Sequence, residues 1–108
     1  MQTIVITLNP GKLTNLDLRY RISERIEEVT QGKIKDNGYD YLYTEGQRAP
    51  LLGLWLEAEA AADQYGEIVK LFQKKTFLEN NLSVSAEIYI AEEETAELKV
   101  CRKVHHFL

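Results

Sequence analysis

This chain of 108 residues predicts an α+β fold built on one antiparallel sheet. Three observations carry that prediction. β-branched, apolar or alternating runs of strand length recur at residues 3–8, 51–57 and 84–90. Two longer stretches, 18–29 and 59–75, place apolar residues three and four apart, the spacing of an amphipathic helix. The two periods interleave as strand, helix, strand, strand, helix, strand, with one further strand appended.

Residues 3–8 (Thr-Ile-Val-Ile-Thr-Leu) read as a short buried strand, because β-branched side chains suit a pleated surface. Asn9-Pro10-Gly11 breaks it. Thr14 or Asn15 can cap the helix that follows. In that helix Leu18, Ile22, Ile26 and Val29 form the apolar stripe, with Arg19, Arg21, Glu24, Arg25, Glu27 and Glu28 on the wetter sides. Gly32 is placed to end it.

Asn37-Gly38 is a step that readily takes the positive φ of a tight turn. It joins a short strand at 32–35 to a longer one at 39–44 as a hairpin, or else forms a bulge within one bent strand. Both readings are open at this point. Residues 45–50 form a polar loop, and 51–57 a strongly apolar strand containing Trp55. In the second helix Ala61, Tyr65, Ile68 and Phe72 make the stripe, with Val69 beside it. Gly66 weakens this helix by ~1 kcal/mol relative to alanine, and Lys70, Lys74 and Lys75 suit its C-terminal dipole.

After the turn Glu79-Asn80-Asn81, the alternation is clear: Val84, Ala86, Ile88 and Ile90 face one way, and Ser83, Ser85, Glu87 and Tyr89 the other. Glu92-Glu93-Glu94-Thr95 reads as a hydrophilic turn, and Leu98, Val100, Arg102 and Val104 as the last strand. This order is that of a ferredoxin-like split β-α-β sandwich (βαββαβ) with an extra C-terminal strand. Both helices then cover one face of the sheet, the other face is left open, and the added strand pairs with the fourth at an edge. One domain, residues 1–108, accounts for the whole chain.

Composition narrows the classes of function. A hydrophobic content of 44% and a charged content of 28% are those of an ordinary folded domain. No apolar run approaches the ~20 residues of a membrane span. Met1-Gln2-Thr3-Ile4 lacks the positive flank of a secretory signal, and the single Cys101 forms no internal disulfide, so a cytoplasmic location is expected. The net charge of −4 disfavours direct nucleic-acid or anionic-membrane binding. The charge is uneven: residues 1–56 balance, 57–97 carry −7, and 98–108 return +3.

Candidate chemistry is sparse. Asp36 and Asp40 flank the Asn-Gly step, and Glu57 and Glu59 follow the apolar strand. Acid–base work would need a cleft that perturbs one pKa of such a pair; the ordinary reading is turn chemistry for the aspartates and helix N-terminal charge for the glutamates. Cys101, His105 and His106 do not have a recognised zinc spacing, and adjacent histidines on a strand point to opposite faces. The glycines follow no phosphate-loop pattern. No catalytic residue, metal or cofactor is therefore assigned.

Tyr39, Tyr41 and Tyr43 lie at period two and share one face of a strand. On an open face they make an aromatic patch for a protein partner, which Trp55 and Tyr89 extend if they lie on the same side. The alternative is that this face packs under the helices with the hydroxyls at the rim.

The segment Asp36-Asn37-Gly38-Tyr39-Asp40-Tyr41 and the acidic run Glu92-Glu93-Glu94 resemble the surfaces of the small acidic immunity proteins of bacterial toxin systems. The resemblance is one of character across the whole chain and rests on no aligned motif. It implies a non-enzymatic protein that occludes a basic toxin active site, with Tyr39, Asp40, Tyr41, Tyr43, Trp55, Glu92, Glu93 and Glu94 as partner-binding residues and with electrostatic steering. As such a protein the chain is a monomer or homodimer. The competing reading is a dimeric ferredoxin-like small-molecule-binding domain or small enzyme, with two open sheet faces packed together.

Overall fold

The structure, a computed structural model, describes residues 1–9, 18–43, 50–74 and 86–106. Its elements are β1 (Gln2–Leu8), α1 (Leu18–Val29), β2 (Ile34–Leu42), β3 (Leu51–Ala58), α2 (Ala61–Lys74), β4 (Glu87–Ala91) and β5 (Arg102–His106), with a short 3-10 turn at Leu98–Val100. The five strands form one sheet in the order β2-β3-β1-β4-β5. Every neighbouring pair is antiparallel. The chain is thus α+β, with two helices on a five-stranded antiparallel sheet. The candidate caps Thr14 and Asn15, residues 45–49 of the loop expected at 45–50, the turn Glu79-Asn80-Asn81 and residues 83–85 lie outside the described residues.

The register explains the core. Ile4, Ile6 and Leu8 stand opposite Leu56, Leu54 and Leu52, and Ile4 and Ile6 also stand opposite Ile90 and Ile88. Directly opposed residues share a face, so one face of the sheet is an unbroken aliphatic surface. Ile22 and Ile26 of α1 and Ile68, Leu71 and Phe72 of α2 close over it in a single cluster. Each fully buried Ile, Leu or Phe there contributes about 1.5–3 kcal/mol of transfer free energy.

The end of α1 ties it to β2. Gly32 N donates to Glu27 O at 2.8 Å and Gln31 N to Glu28 O at 3.2 Å, the paired bonds of a Schellman end. The left-handed backbone falls first on Gln31 (φ 55°) and continues in Gly32 (φ 80°). Buried Thr30 Oγ1 then donates to Ile26 O at 2.7 Å and accepts from Ile34 N at 3.2 Å, joining the last turn of the helix to the first residue of the strand.

At Asn37-Gly38 the bulge prevails over the hairpin. Residues 34–42 form one strand whose register with β3 shifts between Asp36, opposite Leu56, and Tyr39, opposite Leu54. Two residues, Asn37 and Gly38, therefore face one, Trp55. Gly38 takes φ 96° and its N–H donates to Asp36 Oδ1 at 3.0 Å.

Two expectations are corrected. The last strand begins at Arg102 rather than Leu98: the Leu98–Val100 turn comes first, and Val100 is half exposed. The face away from the helices is also not left open. The connection from β4 to β5 crosses it as a strap. Thr3 Oγ1 donates to Glu93 O at 2.7 Å and accepts from Ala96 N at 3.1 Å. Trp55 Nε1 donates to Ala96 O at 2.8 Å, and Asn37 Nδ2 to Thr95 Oγ1 at 3.2 Å. The strap thereby reaches over β1 and β3 to the bulge of β2. Thr3, Val5 and Thr7, which point to this face, are all buried.

Candidate protein-binding surface

The bulge decides where the tyrosines go. Ile34 opposes Ala58 on the helix-covered face. Without the extra residue, strict alternation would send Tyr39 and Tyr41 to the opposite side. With it, Tyr39 opposes Leu54 and Tyr41 opposes Leu52, so both point to the helix side. Because β2 is the edge strand and α1 lies alongside it, the two rings reach the rim rather than the core.

There they meet a residue that strand periodicity alone could not associate with them. Tyr20, in the first turn of α1, packs edge-to-face on Tyr39, with centroids 5.6 Å apart and planes at 86°. Tyr39 and Tyr41 make a second such contact at 6.2 Å and 89°. The hydroxyls of Tyr20 and Tyr39 are 3.5 Å apart. Exposures of 54% for Tyr20, 40% for Tyr39 and 37% for Tyr41 leave much of each ring in water, and Tyr43, just beyond the strand, is 82% exposed. The only sequence signal for Tyr20 was an aromatic residue on the wet side of an amphipathic helix, which by itself names no neighbour.

Trp55 and Tyr89 do not extend this patch. They stand on either side of Val5 in the register, on the opposite face. Trp55 is half-buried with its indole bound to the strap, and its ring lies over Gly53, where an added Cβ would come within 2.6 Å of Trp55 Cζ3. Asp40 opposes Gly53 on that same face, and its carboxylate accepts from the adjacent Tyr41 N at 2.8 Å. Asn37, Asp40, Trp55, Thr95 and Glu97 line a shallow groove between bulge and strap.

Glu92, Glu93 and Glu94 are exposed at the start of the strap. Glu92 and Glu93 line a second groove with Gln2, Ala61, Ala62 and Arg102, where β1 begins and β4 ends. In the sheet order that is three strands from the tyrosines, about 14 Å at the usual spacing. The eight residues thus divide between two faces and opposite edges. Tyr39, Tyr41 and their new neighbour Tyr20 form the one compact group.

The other candidate chemistries separate in space. Asp36 and Asp40 point to opposite faces, because Asp36 pairs with Leu56 of the core row and Asp40 with Gly53. Glu57 is half-buried on β3, opposite Thr3 and Lys35, while Glu59 is exposed in the turn before α2. Among the described residues, no three His, Cys, Asp or Glu side chains converge in a metal-binding arrangement. Cys101 Sγ donates to Glu97 O at 3.4 Å. Burial, and then the charge of Glu93, raise its thiol pKa, the opposite of what activates a nucleophilic thiol.

One electrostatic cluster lies at the β4–β5 edge. Lys103 ion-pairs with Glu87 and sits 5.8 Å from the ring centroid of Tyr89. The Tyr89 hydroxyl titrates above its ordinary range, chiefly from burial and then from Glu87. Lys103 is likewise raised, first by its hydrogen bond to Glu87. Among the described residues no helix is long and apolar enough to cross a membrane. Comparison of the chain with protein-family models, with curated proteins and with solved structures yields no match.

Proposed function

We propose that this chain is a non-enzymatic, acidic protein-binding domain, most specifically an immunity-type inhibitor that covers the active site of a basic bacterial toxin domain in the cytoplasm. The observation that carries the proposal is the exposed group Tyr20, Tyr39 and Tyr41, continued by Tyr43, on a chain of net charge −4. Tyrosine is enriched among the residues that dominate interface energetics, since a rigid amphipathic ring buries much area at little entropic cost. The ferredoxin-like reading of the scaffold is supported by the order β2-β3-β1-β4, by β1 and β2 lying either side of β3, and by both helices sharing one core. On it, the edge formed by α1 and β2 is the docking surface, and the exposed glutamates of the strap steer association from a distance.

The competing reading, a dimer enclosing a ligand between two open sheet faces, draws less support. The face it would use already buries Thr3, Val5 and Thr7 within one chain, under the strap and its bond to Trp55.

Affinity capture from a lysate of the native source, first at low and then at moderate salt, tests the proposal. The expected result is a single basic protein released as salt rises, whose association slows when Glu92, Glu93 and Glu94 are charge-reversed. Self-association with no other partner would overturn it in favour of the dimer.

A further inference from the structure

We propose that the cleft between the end of α1 and the start of α2 binds a free α-amino acid with an aliphatic side chain. Its carboxylate lies against Gln31, Lys33 and Gln64, its ammonium against Asp63 and Glu67, and its side chain against Val29. The site stands apart from the tyrosine surface, because Tyr20 and Val29 are nine residues apart, about 14 Å along α1. It needs neither the protein partner nor a dimer. The cleft has a volume of about 330 Å³, at the small end of ligand sites. Its walls carry opposite charges that do not meet: Lys33 from the turn after α1, and Asp63 and Glu67 from α2. Asp63 and Glu67 are four apart and share a helical face. Among the described residues Lys33 and Asp63 form no ion pair, and Glu67 meets only Lys70 of its own helix, at 3.8 Å. A cation and an anion held apart across a cleft suit a ligand that carries both charges about one carbon.

The uncharged lining points the same way. Gln64 Oε1 accepts from Ala60 N at 2.9 Å, which leaves its Nε2 donors for the cleft. The Gln31 side chain makes no hydrogen bond among the described residues. Gln31, Lys33 and Gln64 also line a neighbouring cleft of about 440 Å³, so these three donors stand at the waist between the two clefts. Val29 is 42% exposed although Ile22 and Ile26 of the same stripe are fully buried, and it gives the cleft an apolar patch. Gln31 adopts φ 55°, a left-handed backbone that glycine takes without steric cost. A glutamine there holds an amide at the cleft at a cost in stability, as strained residues at functional sites do.

The test is a titration of the isotope-labelled chain with L-leucine at millimolar concentration, followed by amide NMR. Isocaproate, which is leucine without its ammonium, and isoamylamine, which is leucine without its carboxylate, serve as the other probes. Leucine is expected to shift the signals of Val29, Gln31, Lys33, Asp63 and Gln64 saturably. It should bind roughly two- to fivefold more tightly than either probe, the worth of one exposed charge pair. Lys33→Gln should lower the affinity for leucine by that factor and not lower that for isoamylamine. Asp63→Asn should do the same to leucine and leave isocaproate unchanged. Gln31→Gly separates a binding role from a structural one: relief of the left-handed backbone raises the melting temperature, while loss of the amide weakens leucine binding. The absence of saturable shifts, shifts centred elsewhere on the chain, or equal affinity for all three compounds overturns the proposal, and that comparison needs only the unaltered chain.

Discussion

Replacing Thr3 with valine tests whether the strap is held to the sheet as the structure shows. The two side chains have nearly the same shape, and both suit a strand. What changes is one hydroxyl, 1% exposed at the residue level, that donates to Glu93 O at 2.7 Å and accepts from Ala96 N at 3.1 Å. Thr3→Val leaves a buried donor and a part-buried acceptor without their partner, each costing about 1–3 kcal/mol if nothing relaxes. The added methyl returns about 0.8 kcal/mol. Some relaxation is expected, because the strap begins at an exposed edge, so the net loss is about 2–3 kcal/mol. Urea unfolding followed by far-UV circular dichroism measures it, as a midpoint lowered by roughly 1–2 M. Trp55 is the only tryptophan and its indole is bound to Ala96 O, so its emission reports on the strap itself. The variant's emission should be shifted to the red before global unfolding begins. A stability within 0.5 kcal/mol of the parent, with unchanged emission, would refute the clasp.

Three further predictions concern other parts of the molecule. Ser23 Oγ is buried in α1 with no hydrogen-bond partner among the described residues, so Ser23→Ala should stabilise the fold by about 0.5–1.5 kcal/mol, read as a melting temperature a few degrees higher. Gly53→Ala would place a Cβ 2.6 Å from Trp55 Cζ3 and 3.0 Å from Leu42 Cδ1, and with the indole held by the strap it should cost about 1–3 kcal/mol and alter Trp55 emission. The Tyr89 pKa is raised in the folded state, so its contribution to stability is full below the ordinary tyrosine value and is lost as pH rises through the higher folded value. Ultraviolet titration should show a late-ionising component that is missing in Tyr89→Phe and moved down in Glu87→Gln.

Local periodicity was enough to locate most of the elements. The stripe Leu18, Ile22, Ile26, Val29 places α1 correctly, yet Val29 is 42% exposed while Ser23 and Thr30 are buried. Which polar side chains lie beneath a helix is set by its rotation against the sheet, which the stripe defines only coarsely. The alternation of Ala86, Ile88 and Ile90 against Glu87 and Tyr89 gives the faces of β4 correctly, because nothing interrupts the period. β2 shows where such reading stops. Asn-Gly accommodates positive φ in a hairpin and in a bulge alike, and the choice depends on pairing with β3, more than ten residues away in sequence. That choice inverts the face of every side chain after it, so Tyr39 and Tyr41 part from Trp55 and Tyr89 and join Tyr20. The strap was hidden for a related reason. Glu92-Glu93-Glu94-Thr95 has the composition of a solvated turn, and its anchors to Thr3 and Trp55 are main-chain groups of Glu93 and Ala96, which composition does not reveal.

The central claim, a basic protein bound through the α1–β2 tyrosine surface, is tested most directly by the dissociation rate of the captured partner from the Tyr39→Ala/Tyr41→Ala double variant. Truncating an interface hot spot costs about 2 kcal/mol or more, and most such losses appear in dissociation. The account predicts dissociation at least ~30-fold faster, with circular dichroism and melting showing the variant folded. A folded double variant that releases its partner at the parent rate would contradict it.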